Sequence, residues 1–299
     1  MRLRGRVRAV SVPRMIPVPD AAPGVLDPAR TRHLRVALPG RPTLGATPVA
    51  GTGEPLLWLH PNRTNRRMFG HAIAALATPR PAFVPELRGH GDSDRPATGY
   101  ELEDHLADLE AFADALLPGR FAIIGQATGA TLALFLATRL PDRVTRLVVF
   151  NPALGIRAAV NDLVQRQVAA GQSGFASAED AMAATPFAER WPEHVRRHWL
   201  ATALERRPDG RFAWRYHAAG VAATEAALVP DRWREVSVSC PVLLVRGAES
   251  DIITPAELDR AAAHLPQAAR AELPRANHRL GQDNPVGFAA LVAEVLGDG

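Results

Sequence analysis

The segment Phe121-Ala-Ile-Ile-Gly125-Gln126-Ala127-Thr128-Gly129 decides how this chain folds. Its first five residues are a short apolar run rich in strand formers, and residues 130–138, which follow it, have the apolar spacing of a buried helix. Two glycines, Gly125 and Gly129, permit a tight turn between these elements. The segment therefore predicts a strand, a sharp turn and a helix, with Ala127 inside the turn.

Strand-like and helical patterns alternate on both sides of this segment. Apolar runs typical of strands cover residues 33–38, 43–50, 55–60, 82–86, 146–150 and 241–246. Amphipathic patterns typical of helices cover approximately residues 65–76 and 101–117. Because such alternation is characteristic of βαβ units, we predict an α/β fold with a mostly parallel, doubly wound sheet. This core comprises residues 31–154 and 235–299.

A helical insertion is expected between the strand that ends at Phe150 and the strand that begins near Pro241. The interval is too long for a simple loop. Within it, Ser177-Ala-Glu-Asp180 has the pattern of a helix N-terminus with a capping box. We predict a helical lid over residues 155–234. Residues 1–30, which are basic at their start and then rich in proline and alanine, are predicted to form a tail.

Composition narrows the class of protein. The chain has 299 residues, is 47% hydrophobic and carries a formal charge of +4, and all 35 of its basic residues are arginine. Since the arginines are interspersed with acidic residues and accompany no recognised motif, nucleic-acid binding is not expected. The single cysteine, Cys240, excludes an internal disulfide. The chain contains neither a secretory-signal pattern nor an apolar run of ~20 residues, so we expect a cytoplasmic protein that does not span a membrane.

Four more motifs occur in a fixed order around the central segment. They are His60-Pro61-Asn62 at the end of a strand, the glycine-rich turn 88–94, Arg246-Gly-Ala-Glu-Ser-Asp251 after a later strand, and Ala276-Asn-His278 near the C-terminus. With these motifs, residues 33–297 resemble the α/β-hydrolase superfamily, in its lidded branch of epoxide hydrolases and esterases. The central segment then corresponds to the family's nucleophile elbow.

This resemblance implies a role for several residues. His278 stands at the place of the general base, and Asp251 at the place of the acid that orients it. Ala127 occupies the position of the nucleophile. The remaining candidates, for oxyanion stabilisation or substrate binding, are Asn62 and Thr128 through their backbone N–H groups, together with His60 and Gln126. The side chain of Asn62 is also a candidate for holding a polar substrate atom.

Ala127 lacks the hydroxyl that a serine enzyme needs, so no acyl-enzyme can form at this position. Three hypotheses remain. The protein is a cofactor-free enzyme that uses the His278–Asp251 pair and an oxyanion hole on a small or medium apolar ester, lactone or related carbonyl compound, by water attack or by elimination or cyclisation. Alternatively, it is a serine hydrolase whose serine at position 127 has been replaced by alanine. In the third, it is a non-catalytic small-molecule-binding member of the fold. The retained acid and base favour the first.

Other features bear on ligands and assembly. Large aromatic residues of the predicted lid either line an apolar pocket or pack the lid against the core, so they indicate only an apolar class of substrate. They are Phe187, Trp191, Trp199, Phe212 and Trp214. His194 and His198 have the spacing of a metal-binding pair, but no adjacent glutamate completes the motif, and no metal is expected. No cofactor is expected either. Assembly as a homodimer stays open.

Overall fold

Nine β-strands form one sheet through the parts of the chain that the structure, a computed structural model, describes: residues 8–9 and 32–297. Two further strands form a separate hairpin. In chain order the strands are β1 (Arg8–Ala9), β2 (Leu34–Val36), β3 (Leu44–Val49), β4 (Leu56–Leu59), β5 (Ala82–Pro85), β6 (Phe121–Gln126), β7 (Val144–Phe150), β8 (Leu204–Arg206), β9 (Phe212–Trp214), β10 (Val242–Gly247) and β11 (Ala269–Leu273).

The strand order across the large sheet is β1-β11-β10-β7-β6-β4-β5-β3-β2. Its neighbouring strands pair in parallel, except that β3 is antiparallel to both β2 and β5. The carboxyl ends of β6, β7, β10 and β11 therefore lie at the same edge of the sheet, where ligands bind in open α/β folds. The predicted α/β class with a mostly parallel sheet is confirmed.

Ten α-helices occur in the described part of the chain. They are α1 (Gly70–Ala74), α2 (Leu102–Leu116), α3 (Thr128–Arg139), α4 (Ala158–Ala170), α5 (Ala178–Ala183), α6 (Glu193–Thr202), α7 (Ala218–Ala227), α8 (Pro255–His264), α9 (Leu280–Asp283) and α10 (Pro285–Leu296). Short 3₁₀ helices occupy Arg66–Phe69, Ala188–Arg190 and Trp233–Glu235.

The core consists of two apolar layers, one on each face of the sheet. Alternate residues of one strand enter different layers, as the pleat requires: Leu57 and Leu59 of β4 pack on the face covered by α2, α3 and α8, whereas Leu56 and Trp58 pack on the face covered by α1 and α10. Both faces are buried, which explains why the strands read as continuous apolar runs and not as alternating ones.

The interval between β7 and β10 contains α4 to α7 and the hairpin of β8 and β9. This insertion has an apolar cluster of its own, which includes Val164, Val168, Trp199 and Trp214. Ser177 caps α5 by accepting a hydrogen bond from the Asp180 N–H at 3.0 Å, and the Asp180 carboxylate accepts from the Ser177 N–H at 3.0 Å. The capping box expected at this site is therefore present. The boundaries 155 and 234 and the role of the insertion as a lid stay predictions.

One expectation for local structure is wrong, and another falls mostly outside the described residues. In place of one helix over 65–76, a 3₁₀ turn at Arg66–Phe69 leads into the short helix α1. Arg66 explains the tight turn, because its buried guanidinium forms ion pairs with Glu86 and Asp92 and so fixes the backbone there. The predicted tail, residues 1–30, lies outside the described residues except for Arg8 and Ala9, which pair with Ala271 and Glu272 of β11.

Among the described residues, no helix has the length and apolar character needed to cross a membrane.

Candidate active site

The turn between β6 and α3 holds Ala127 in a backbone conformation that favours glycine. Its φ is 49° and its ψ is −116°. The flanking glycines are required by close packing, since a Cβ on Gly125 would overlap the carbonyl of Gly129, and one on Gly129 would overlap the carbonyl of Leu59. Such strain persists only where the surroundings enforce it, and it is concentrated at functional sites. The turn thus places the methyl group of Ala127 at the carboxyl edge of the sheet.

His278 follows β11 and lies on the wall of the main cavity. Its Nδ1 atom is 3.3 Å from the side-chain nitrogen of Asn151, the residue after β7. The side-chain oxygen of Asn151 accepts a hydrogen bond from the Gly247 N–H at 3.2 Å, which fixes the orientation of the amide. Asn151 therefore donates to Nδ1, and a neutral imidazole must carry its hydrogen on Nε2.

The ionisation of His278 agrees with this arrangement. Burial is the main cause that lowers the pKa of His278, to about 3, and the charges of Arg63 and Arg279 act in the same direction. The imidazole is therefore neutral at physiological pH. A neutral imidazole that accepts at Nδ1 offers its Nε2–H as a hydrogen-bond donor.

Asp251 lies in the turn after β10 and lines the same cavity. Its carboxylate forms an ion pair with Arg190 of the insertion at 2.9 Å, and its carbonyl accepts a hydrogen bond from Arg157 at 2.9 Å. No hydrogen bond joins Asp251 to His278 within residues 32–297. The structure thus brings the predicted acid and base to one cavity without pairing them, and the position expected for a carboxylate, beside Nδ1, is occupied by Asn151.

Two backbone N–H groups are available for an oxyanion. Thr128 is the first residue of α3, so its N–H has no acceptor within the helix. Asn62 lines the cavity in the turn after β4. Its side chain is engaged elsewhere, because Nδ2 donates to the carbonyl of Val221 at 3.0 Å and to the carboxylate of Glu225 at 2.9 Å. The sequence suggested that the Asn62 side chain could hold a polar substrate atom. In the structure its Nδ2 donors are already used within the protein.

The other two candidates hold the site together. Both ring nitrogens of His60 are used by the backbone, Nδ1 with the Pro61 carbonyl at 2.8 Å and Nε2 with the Leu87 N–H at 3.0 Å. His60 thus fixes the turn and has no nitrogen left for a substrate. Gln126 donates to the His278 carbonyl at 2.8 Å, which connects the elbow to the histidine loop.

The cavity lies between the sheet edge and the insertion, and its volume is about 100 Å³. Four of the five lid aromatics that were expected to line it do so; they are Phe187, Trp191, Trp199 and Trp214. The walls also carry three arginines, Arg63, Arg190 and Arg279. The lining is therefore mixed, whereas the aromatic residues alone had indicated an apolar one.

Three residues of this site were missed from the sequence. The sequence patterns predicted no role for Asn151, which directly follows a predicted strand, or for Arg63 and Arg279. A signal was present, because Arg63 directly follows Asn62 and Arg279 directly follows His278 in the motifs. The pair His194 and His198 packs against His71, and the described residues contain no group of three or more His, Cys, Asp or Glu that could hold a metal.

Comparisons with known proteins agree with the fold. A 2-(acetamidomethylene)succinate hydrolase of Mesorhizobium japonicum is 28% identical over 246 residues, which cover 79% of this chain and 85% of the relative. An esterase of Mycobacterium tuberculosis is 29% identical over 260 residues, 82% of this chain and 84% of the relative. A crystal structure of E-2-(acetamidomethylene)succinate hydrolase, 25% identical, has a TM-score of 0.78 and covers 89% of this chain and 98% of that one.

The family model described as alpha/beta hydrolase fold matches residues 55–285, which include the elbow, Asp251 and His278. The relatives are named as a hydrolase and an esterase. The chain belongs to the α/β-hydrolase family and is an α/β-hydrolase-like enzyme.

Proposed function

We propose that the protein is a cofactor-free enzyme that hydrolyses a small ester, lactone or related carbonyl compound, with no covalent intermediate at residue 127. One observation carries the proposal. His278 lines the cavity at the carboxyl edge of the sheet, and the strained elbow that follows β6 at the same edge carries a methyl group in place of a nucleophile. The methyl group itself packs in an apolar cluster with Ala153 and Leu228. The names of the relatives, a hydrolase of an acetamido-substituted succinate and an esterase, support cleavage of a carbonyl derivative by water.

The backbone would stabilise the negative charge that develops on the carbonyl oxygen. The N–H groups of Thr128 and Asn62 are the proposed donors. Thr128 opens the helix α3, so the positive end of the helix dipole points to the same place. Because Ala127 has no hydroxyl, the proposed nucleophile is a water molecule, which would attack the carbonyl carbon from the cavity side of the elbow.

Proton transfer in this proposal depends on the partner of His278. While Asn151 donates to Nδ1, the Nε2–H can only donate to the substrate oxygen or to a leaving group. To act as the base, His278 needs an acceptor at Nδ1. The proposed acceptor is Asp251, which must first leave Arg190 and take the place of the Asn151 amide beside Nδ1. Nε2 then takes a proton from the attacking water, whose oxygen bonds to the carbonyl carbon, and returns that proton to the leaving group as the tetrahedral intermediate collapses.

Replacement of His278 by alanine tests the proposal. Turnover of a panel of short esters, lactones and N-acyl amides should fall by at least about 100-fold, since general acid–base catalysis contributes this much or more. His264→Ala, an exposed histidine on α8, is the matched control and should leave turnover unchanged. Full activity of His278→Ala would rule out the proposed role.

A serine hydrolase with a replaced nucleophile is the second candidate. The positive φ of Ala127 favours this candidate. Such a conformation costs free energy, and it is useful where it directs a reactive side chain into the site, which a methyl group does not need. A non-catalytic binding protein is the third, and the amide of Asn151 at the place of the carboxylate favours it. Tight ligand binding without turnover of any substrate in the panel would support this third candidate.

A further inference from the structure

Two guanidinium groups line the cavity without an acidic partner in the described part of the chain. Arg63 donates through Nη1 to the side-chain oxygen of Gln167, and Arg279 donates to the side-chain oxygen of Gln282 at 3.1 Å. Neither forms an ion pair with a carboxylate of residues 32–297. Arg190 differs from them, since its charge is matched by Asp251. Two of the three cavity arginines therefore form no ion pair, and the carboxylate of Asp283, which lines the same cavity, is not within ion-pair distance of either.

The environment of Arg279 shows how strongly the positive charges oppose one another. Burial and then the charge of Arg63 lower the pKa of Arg279 to about 9, and Asp283 acts in the opposite direction. The carboxylate of Asp283 accepts a hydrogen bond from the Asn277 N–H at 2.9 Å and forms no ion pair with Arg279. The Arg279 guanidinium is held over the ring of Trp191, 3.7 Å from the ring centroid. A negatively charged ligand between Arg63 and Arg279 would relieve this repulsion.

Unused hydrogen-bond donors lie in the same cavity wall. Arg63 Nε, Trp214 Nε1 and the Tyr216 hydroxyl are buried and have no hydrogen-bond partner among the described residues. Buried polar groups are normally paired, so three such donors on residues of one cavity favour a ligand that supplies acceptors. The side-chain oxygen of Gln126, which is also unpartnered, leaves one acceptor on the same cavity. Arg63 also has a φ of 61°, a strained conformation that is typical of residues held for binding.

We propose that the cavity binds a carboxylate of its ligand between Arg63 and Arg279, with Trp214 and Tyr216 as additional donors. A carboxylate has two acceptor oxygens in one plane, which match the planar fork of a guanidinium. The substrate is then a small organic acid, and not the wholly apolar compound expected from the aromatic residues. This inference rests on the proposed function in one respect, because the same molecule places its carbonyl group above Ala127.

Calorimetric titration with benzoate and benzamide tests the carboxylate site at neutral pH and low salt. The two probes have nearly the same shape, but only benzoate is charged. Benzoate should bind at least about tenfold more tightly than benzamide, and Arg63→Gln or Arg279→Gln should each remove most of that difference. Arg166→Gln, an exposed residue on α4, is the control and should bind both probes as the unaltered protein does.

Several outcomes would overturn the carboxylate site. They are equal affinity of the unaltered protein for the two probes, no measurable benzoate binding, full benzoate affinity in both arginine variants, or tighter binding of inorganic phosphate than of benzoate. The comparison of probes on the unaltered protein does not depend on the folding of a variant. His278→Ala should keep benzoate binding while it loses turnover, so failure of the carboxylate site and failure of the proposed catalysis are separate results.

Discussion

At the scale of residues, two positions distinguish this site from a serine triad. Ala127 removes the nucleophile, and Asn151 supplies an amide where a histidine of a triad needs a carboxylate. Both have positive φ, 49° and 48°. The second change matters as much as the first, because an amide that donates to Nδ1 leaves the hydrogen on Nε2, and that tautomer cannot accept a proton from a serine.

Restoring both groups should rebuild a serine hydrolase. We expect Ala127→Ser alone to form an acyl-enzyme slowly with 4-nitrophenyl acetate, and Ala127→Ser with Asn151→Asp to acylate up to ~10⁴-fold faster, the scale measured when a triad loses the carboxylate that sets its tautomer. Stopped-flow measurement of the nitrophenolate burst gives both rates. The introduced carboxylate would still accept the Gly247 N–H that the Asn151 side-chain oxygen accepts now, so the fold is not at risk.

The same kinetics can identify the acid. If Ala127→Ser gives a fast burst without the second change, and Asp251→Asn abolishes that burst, then Asp251 already serves His278. This result would also favour the hypothesis that the alanine replaced a natural serine. Equal, slow acylation by the single and double variants would contradict the role that we give to Asn151.

At the scale of elements, the elbow is the feature that the sequence predicts best. Gly125 and Gly129 indicate a turn too tight for side chains, and β6 and α3 begin and end within one or two residues of the expected bounds. What the sequence does not reveal is contact between distant elements. The hydrogen bonds of Asn62 to α7 and of Arg190 to Asp251 join segments more than 60 residues apart. No local sequence pattern predicts such partners.

Gly129 provides a stability test of the elbow. In Gly129→Ala the new methyl group would overlap the carbonyl oxygen of Leu59 on β4, and backbone cannot move aside easily, so we expect a loss of ~2 kcal/mol or more in the free energy of unfolding. Gly119→Ala is the matched control, because nothing lies within 4 Å of its added Cβ. Urea unfolding of both variants checks this; equal stability would show that the elbow is not tightly packed.

At the scale of the whole molecule, buried neutral histidines make stability depend on pH. Burial is the largest cause that lowers the pKa of His90 and His198 to about 4 and of His105 and His278 to about 3, from an ordinary value of 6.5. Well above pH 6.5 these groups are neutral in both states. Below pH 6.5, these histidines bind protons in the unfolded chain but stay neutral in the folded protein, so acid favours unfolding.

We therefore expect the free energy of unfolding to be constant with respect to these groups above about pH 7.5, and to fall by up to about 1.4 kcal/mol per pH unit for each histidine between about pH 6 and 4. Urea titrations at pH 7.5, 6.0 and 5.0 measure the slope. His198→Gln should reduce it, whereas the exposed control His264→Gln should not. A slope that is the same in all three proteins would contradict this account.

The fold as a whole followed from the sequence more readily than the site did. Apolar runs buried on both faces of a parallel sheet, and the order of the five motifs, are local or sequential signals. The partner of His278 is neither, since Asn151 is 127 residues away and reaches Nδ1 only because β7, β10 and β11 are neighbours in the sheet. The mixed lining of the cavity was missed for the same reason, because Arg63 and Arg279 meet only in the folded chain.

The central claim is that Asn151 sets the proton position on a neutral His278. Nitrogen-15 NMR of the imidazole tests it most directly, with His278→Gln to assign the resonances. We predict a neutral ring protonated on Nε2 from pH 8 down to about pH 4, and a shift of the hydrogen to Nδ1 in Asn151→Asp. An imidazolium already present at pH 6, or an Nδ1–H tautomer in the unaltered protein, would contradict the claim.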